Sequence, residues 1–279
     1  MNTPLVLSRR ESEVLARLAR FRFLTRKQVE RFLFGTNSAI TPLLRQVMAK
    51  RVLRSLAVKG LVRQTARAKG GTGGGSAASA YFLTRAGMRA VADSGSVLPT
   101  RAVPKGTFLL RHALSIADVA LAFDEAAERN RGHAVVAFDC DWQAAQRING
   151  HMVVPDAYLV YATHDVELHA FLEIDLGTAG STFFRHKIER YLELYRSDRW
   201  RKTLGVWPSV RVIALSEQRA ALLKRVTENV LSAQTDSGRL RSATEFAFAS
   251  LPQLVDEGPL ARIWNIANQP GTHALLPHR

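Results

Sequence analysis

The sequence predicts an α+β protein in two parts, a small basic N-terminal module and a larger mixed one, and three observations carry that prediction. The first is charge. Residues 1–105 hold 20 Lys and Arg against 4 Asp and Glu, a surplus of +16, whereas the other 174 residues hold 19 against 20. The second is periodicity: three helical patterns and a hairpin fill the first third, and the rest reads helix, three strands, helix, strand. The third is the stretch Val154–Tyr195, where three carboxylates meet in otherwise apolar strands.

In the first part, Ser8 caps a helix with Val14, Leu15, Leu18 and Phe21 on one face. Thr25-Arg26-Lys27-Gln28 is a capping box opening a second helix, closed by Gly35-Thr36-Asn37. A third helix runs from about Ile40 to Lys59, with Leu43, Leu44, Val47, Met48, Leu53 and Leu56 as its apolar set and Pro42 in its first turn. Gly60 ends it, and Leu61-Val62 begins a strand. The returning strand is Ala80–Leu83, beyond a glycine-rich tip at Gly70–Gly75, and Thr84 caps a short helix ending near Gly95. Residues 1–95 are thus one domain, 96–105 a linker with two prolines, and 106–279 the second domain.

The second part opens on a long helix, Thr107–Asn130, followed by a strand at Ala134–Phe138. Ala157–Tyr161 and Leu168–Ile174 flank the polar break Thr163-His164-Asp165 and read as a hairpin. A turn centred between His164 and Asp165 sets Asp156 opposite Glu173, on the same face, and the period of two adds Asp175 to that face. A helix over Ser181–Thr203 follows, capped by Ser181 or Thr182, with Phe184, Ile188, Tyr191, Leu192 and Tyr195 as its buried stripe and Lys187 at the edge. A strand at Val210–Leu215, a helix at Glu217–Ala233, a strand at Thr244–Ala249 and a terminal helix over Leu251–Asn268 complete the chain. Like charges repel unless compensated, and magnesium or manganese is the simplest compensation for clustered hard oxygen ligands. Asp156, Glu173 and Asp175 are therefore the candidate metal ligands.

Three helices, a basic hairpin and a closing helix are the layout of a winged helix-turn-helix. The pattern of Leu53, Leu56, Gly60, Leu61 and Val62, followed by Tyr81–Gly87, is common in that class. Such a module puts a helix in the major groove of DNA and a wing on the neighbouring backbone. The candidate DNA contacts are Arg45, Lys50, Arg51 and Arg54 on the third helix and Arg63, Arg67 and Lys69 on the wing. Pro155-Asp156 and Glu173-Ile174-Asp175 resemble the motif of the PD-(D/E)XK nuclease superfamily, except that Asp175 stands where that superfamily has lysine. Some branches carry the lysine on the following helix, and by that resemblance Lys187 supplies it. The order helix, three strands, helix, strand is similar to the αβββαβ core of the same restriction-endonuclease-like fold.

Both parts together resemble the replication-relaxation family of plasmid and mobile-element proteins, and conjugative relaxases that join a winged helix to a nuclease-like domain. The residues that carry this are the winged-helix pattern, His112 with Asp118, Pro155-Asp156, Glu173-x-Asp175-x-Gly177-Thr178 and Lys187-x-x-x-Tyr191. The resemblance implies a site-specific duplex-DNA-binding protein of a plasmid or integrative element. It further implies Mg2+- or Mn2+-dependent nicking in mobilisation or replication, with Asp156, Glu173, Asp175 and Lys187 as the catalytic set. The departure at Asp175 favours the alternative, a DNA-binding regulator or replication accessory with an inactive nuclease-like domain. Implied partners are DNA and other relaxosome or replication proteins; a homodimer is compatible with the sequence. One cysteine, Cys140, excludes an internal disulfide, and the lack of a long apolar run or signal-like segment gives a cytoplasmic expectation with no membrane partner. Tyr191 and Tyr195 have the chemistry of relaxase-type nucleophiles, but their place on the buried stripe favours core packing. The glycine run is no phosphate loop, lacking the Lys-Ser ending, and no His or Cys spacing suits zinc.

Overall fold

The computed structural model describes residues 6–36, 39–65, 79–94, 107–147, 153–178, 180–234 and 244–276. The chain divides into two compact units, Met1–Leu121 and Ala122–Arg279. The division falls inside the long helix; residues 96–105, read as the linker, lie outside the described residues.

The first unit contains α1 (Arg9–Phe21), β1 (Leu24–Thr25), α2 (Arg26–Phe34), α3 (Pro42–Val58), β2 (Val62–Gln64), β3 (Ala80–Leu83) and α4 (Arg85–Asp93). The capping residues act as the sequence requires. Ser8 and Thr25 each complete a capping box, with Glu11 and Gln28 respectively, and Thr41 caps α3 with Pro42 in the first turn. The three short strands form one antiparallel sheet in the order β1-β3-β2, so β1 adds a third strand to the expected hairpin. Val14, Leu15, Leu18, Leu24, Val29, Leu53 and Leu56 are buried between the helices and this sheet. Gly87 is demanded by a close approach: a Cβ there would stand 2.1 Å from the Leu61 carbonyl oxygen. That approach lets the Thr84 hydroxyl cap α4 and also bond the Gly60 carbonyl.

The expectation for α3 needs correction. Leu43, Leu44 and Val47 are exposed, not core, and only Ala49, Leu53 and Leu56 of that helix are buried. The first half of α5 (Thr107–Arg129) belongs to the first unit. There the Gln28 side-chain amide donates to the Leu114 carbonyl (2.8 Å) and to Asp118 Oδ1 (2.9 Å), and Arg31 lies 3.8 Å from Asp118.

The second unit is built on a six-stranded mixed sheet in the order β4-β5-β6-β7-β8-β9. Its strands are β4 (Ala134–Cys140), β5 (Ala157–Ala162), β6 (Glu167–Asp175), β7 (Ser209–Ala214), β8 (Phe246–Ser250) and β9 (Asn265–Ile266). β4, β5 and β6 run antiparallel in turn; β6, β7 and β8 are parallel. The parallel steps need crossovers. They are made by α7 (Ser181–Arg196) with α8 (Trp200–Leu204), and by α9 (Glu217–Ser232). A short helix, α6 (Asp141–Arg147), follows β4. From α5 to β7 the order of long elements is the expected αβββαβ. Tyr158, Phe171, Val210, Val212, Phe246 and Phe248 bury one face of the sheet against Phe184, Ile188, Tyr191 and Leu192 of α7 and Leu223 of α9.

Two expected helices are shorter than their sequence patterns. The helix over Ser181–Thr203 breaks after Arg196, where Asp198 takes φ 55°. The terminal helix stops as α10 (Leu251–Asp256), because Gly258 turns with φ 90° and Pro259 follows, and the chain then returns as β9. Nor does Ser181 or Thr182 cap α7; Gly180 holds the cap position without a side-chain bond. Among the described residues no helix is long and apolar enough to cross a membrane.

Candidate functional site

The β5–β6 hairpin has the expected register: Ala157 pairs with Leu172 and Tyr158 with Phe171. Asp156 stands just outside this ladder, its N–H donating to the Leu172 carbonyl (3.0 Å), and its charge acts on Glu173. Asp156 Oδ2 accepts from the Ile174 N–H (2.7 Å), which ties its side chain across to β6. Glu173 and Asp175 follow on the same strand face at the carboxyl end of β6, beside parallel β7. That is the end of an open α/β sheet where ligand crevices form.

α7 returns over this face and brings two groups to Glu173. The Lys187 ammonium pairs with Glu173 Oε2, and the Tyr191 hydroxyl donates to Oε1 (2.5 Å). The i, i+4 spacing of Lys187 and Tyr191 puts both on one side of the helix. Glu173 and Tyr191 are fully buried. Burial pushes the Glu173 carboxyl up to about 7; Asp156 adds to the rise, while Lys187 and Tyr191 oppose it. Burial alone would draw the Lys187 ammonium down, but the surrounding carboxylates, Glu173 first, hold it above its usual value. The Tyr191 hydroxyl is raised well above the ordinary range by burial and by Glu173.

Asp175 takes a different partner. Arg219, in the first turn of α9, donates to both of its oxygens, at 2.8 and 2.9 Å, and the pair is largely buried. Such a bidentate fork is the strong geometry for a guanidinium and a carboxylate. Gly177 N–H adds a third bond to Asp175 Oδ1 (2.8 Å), in a turn with Gly177 φ 77° that disfavours any other residue. Asp175 was expected to assist in metal binding; its oxygens instead serve Arg219 and the turn. Among the described residues no group of three or more His, Cys, Asp or Glu side chains is arranged to hold a metal ion. Asp156 and Glu173 form a pair, not a triad with Asp175.

Arg219 has no short-range sequence signal, since only the fold brings α9 back to β6. Tyr191 was legible as core, and it is; its hydroxyl also reaches the site. Tyr195 packs with Trp200 and Trp207 in an aromatic cluster. His112 stacks on Phe108. Asp118 bonds Gln28, and burial raises its carboxyl. Both lie in the first unit.

Of the candidate DNA-contacting residues, Lys50, Arg51, Arg54 and Arg63 are exposed on α3 and β2. Arg45 is half-buried, its guanidinium turned to the Gly35 carbonyl (3.1 Å), so it serves the fold rather than an open surface. Arg67 and Lys69 lie outside the described residues.

No curated protein matches the chain. Among solved structures the chain is similar to restriction endonuclease FokI bound to DNA, at 9% identity and a TM-score of 0.27, covering 91% of this chain and 45% of that one. It thus spans less than half the length of that structure, and a likeness of this level decides nothing about the fold. The replication-relaxation family model matches residues 15–210, which take in most of the first unit and the hairpin, Lys187 and Tyr191 of the second. On that match the chain belongs to the replication-relaxation family.

Proposed function

We propose that this protein binds duplex DNA through its N-terminal unit, acting as a winged helix, and nicks it at the cluster in the second unit. The setting would be replication or mobilisation of a plasmid or integrative element. The observation that supports the reading best is the meeting of Asp156 and Glu173 at one end of the β5–β6 hairpin, with Lys187 from the next helix. Magnesium is commonly held by one or two carboxylates, with water and substrate phosphate completing its shell. The Asp156–Glu173 pair has that donor chemistry; Asp175, held by Arg219, is not part of it. A bound cation would polarise the phosphate and lower the pKa of an attacking water. The protein's own groups do the rest. Tyr191 and the Ile174 N–H fix the two carboxylates in place. Lys187 keeps positive charge beside them, where it offsets the charge that gathers on phosphate oxygens in the transition state.

The test is conversion of supercoiled plasmid DNA bearing the bound site to nicked circles, with Mg2+ or Mn2+. Wild type should nick, and Asp156→Asn and Glu173→Gln should bind DNA without nicking. The saturation of Glu173 and Asp175 by protein donors favours a second reading, a DNA-binding replication regulator without cleavage. Binding with no nicked product in either metal would select it.

A further inference from the structure

α3 turns to solvent a face that core packing does not explain. Successive helical residues advance by 100°, so Ala49, Leu53 and Leu56 lie on one side, and all three are buried. Leu43, Leu44, Val47, Lys50, Arg51 and Arg54 lie on the other. Leu43 is 70% exposed, Leu44 48% and Val47 51%, which makes an apolar patch over the first two turns. The basic residues follow in the next two turns. Arg45 lies on the buried side of the helix, where its guanidinium donates to the Gly35 carbonyl. No acidic residue occurs in α3. An apolar patch rimmed by charge marks an interaction surface.

A second copy of the chain is a poor occupant, because an isologous contact through this face would set Lys50, Arg51 and Arg54 near their own equivalents. A polyanion that carries apolar groups between its charged edges fits better. The major groove of DNA has that pattern: phosphates line its walls, and the thymine C5-methyl is the apolar group on its floor. The first residues of a recognition helix are those that reach base edges.

We propose that Leu43, Leu44 and Val47 set the DNA specificity by packing on thymine methyl groups, while Lys50, Arg51 and Arg54 hold phosphates. The proposal rests on the DNA-binding reading above and names what that surface recognises. It divides the labour on one helix: the apolar turns specify and the basic turns position.

The experiment uses the full chain and a pool of duplexes with a randomised central segment. The bound duplex is then remade with uracil in place of each selected thymine, which removes one methyl at a time. Loss of a buried methyl should weaken binding about threefold to fivefold per position. In Leu43→Ala/Val47→Ala the thymine and uracil duplexes should bind alike, while the slope of log affinity against log salt stays at the wild-type value. In Lys50→Ala/Arg54→Ala that slope should become shallower and discrimination against uracil should persist. The proposal is overturned if the selected duplex tolerates uracil throughout, or if Leu43→Ala/Val47→Ala still discriminates. It is also overturned if those substitutions turn a dimer into a monomer in sedimentation, which would make a second copy the occupant. Failure of the chain to bind any duplex would overturn the DNA-binding reading itself, a result distinct from binding without thymine preference.

Discussion

Glu173 is a carboxyl that the fold has removed from water, and its proton equilibrium should be visible in stability. Its value is about 7 in the folded protein, against the ordinary 4.5. The folded state therefore holds a proton that the unfolded chain has released between those limits. The sign follows from linkage: stability is greatest below about 4.5, falls as pH rises to about 7, and levels off above. Glu173→Gln keeps an acceptor for Tyr191 and removes the titration. Melting temperatures from pH 5 to 8 should lose that downward trend in Glu173→Gln relative to wild type; parallel curves would mean that Glu173 ionises at its ordinary value. Lys187 can be tested against its chemistry as well. If it offsets charge on the phosphate, Lys187→Ala should slow single-turnover nicking by roughly a hundredfold, with Arg190→Ala as a neighbour on α7 that leaves the rate near wild type. Equal, small effects would reduce Lys187 to a structural partner of Glu173. The register of the β5–β6 hairpin was legible because strand period and turn position fix it. Arg219 was not, because a guanidinium forty-four residues away in sequence is brought to Asp175 by the α7–α8 crossover and β7.

At the level of elements, the first unit is held by polar joints as well as by its core. Glu11, buried at the start of α1, accepts from Ser55 and Lys59 of the α3 end (2.7 Å each) and from the Ser8 N–H (2.7 Å). Burial acts to raise its carboxyl, but Lys59 and the two serines outweigh it and hold the value down at about 2. Its contribution is thus fully present above about 4.5 and lost as pH falls through about 2. In Glu11→Gln the loss of far-ultraviolet circular dichroism in this acid window should be smaller than in wild type, because the variant has already given up that contribution. Tryptophan fluorescence would miss it, since all four tryptophans lie beyond residue 141. Gly87→Ala should destabilise the same unit by about 1–3 kcal/mol, the usual cost of overpacking, since its Cβ would meet backbone and not a yielding side chain. Faster amide exchange in α4 and β2 is the measurement. Caps and turn residues made these elements legible: Ser8, Thr25 and Thr84 all act as read. What misled was α3, where leucine and valine suggested core. An apolar residue shows only that it leaves water somewhere, and on this helix the surface is the other candidate.

For the whole molecule, the charge partition and the contact partition nearly coincide. Residues 1–121 carry 21 basic and 5 acidic groups, so the first unit holds the entire surplus of the chain. Extending the domain from residue 95 to 121 adds three basic groups and one acidic group, and it adds the partners of Gln28. Without Leu114 and Asp118 its buried amide would lose two hydrogen bonds, and Arg31 would lose its carboxylate. An unmet buried polar group costs about 1–3 kcal/mol, a large share of the stability of a domain this small. A fragment of residues 1–121 should therefore melt cooperatively and well above a fragment of residues 1–95. It should also bind duplex DNA with nearly the affinity of the full chain, and with a steep fall in log affinity against log salt. The shorter fragment keeps 18 of those 21 basic groups, all the α3 and wing candidates among them, so any DNA binding it retains should be nearly as salt-dependent but weaker, in proportion to its unfolded fraction. The comparison separates charge from fold: equal melting of the two fragments would show that α5 contributes nothing to the first unit. Affinity found only in residues 122–279, with little salt dependence, would move the DNA surface out of the N-terminal unit altogether.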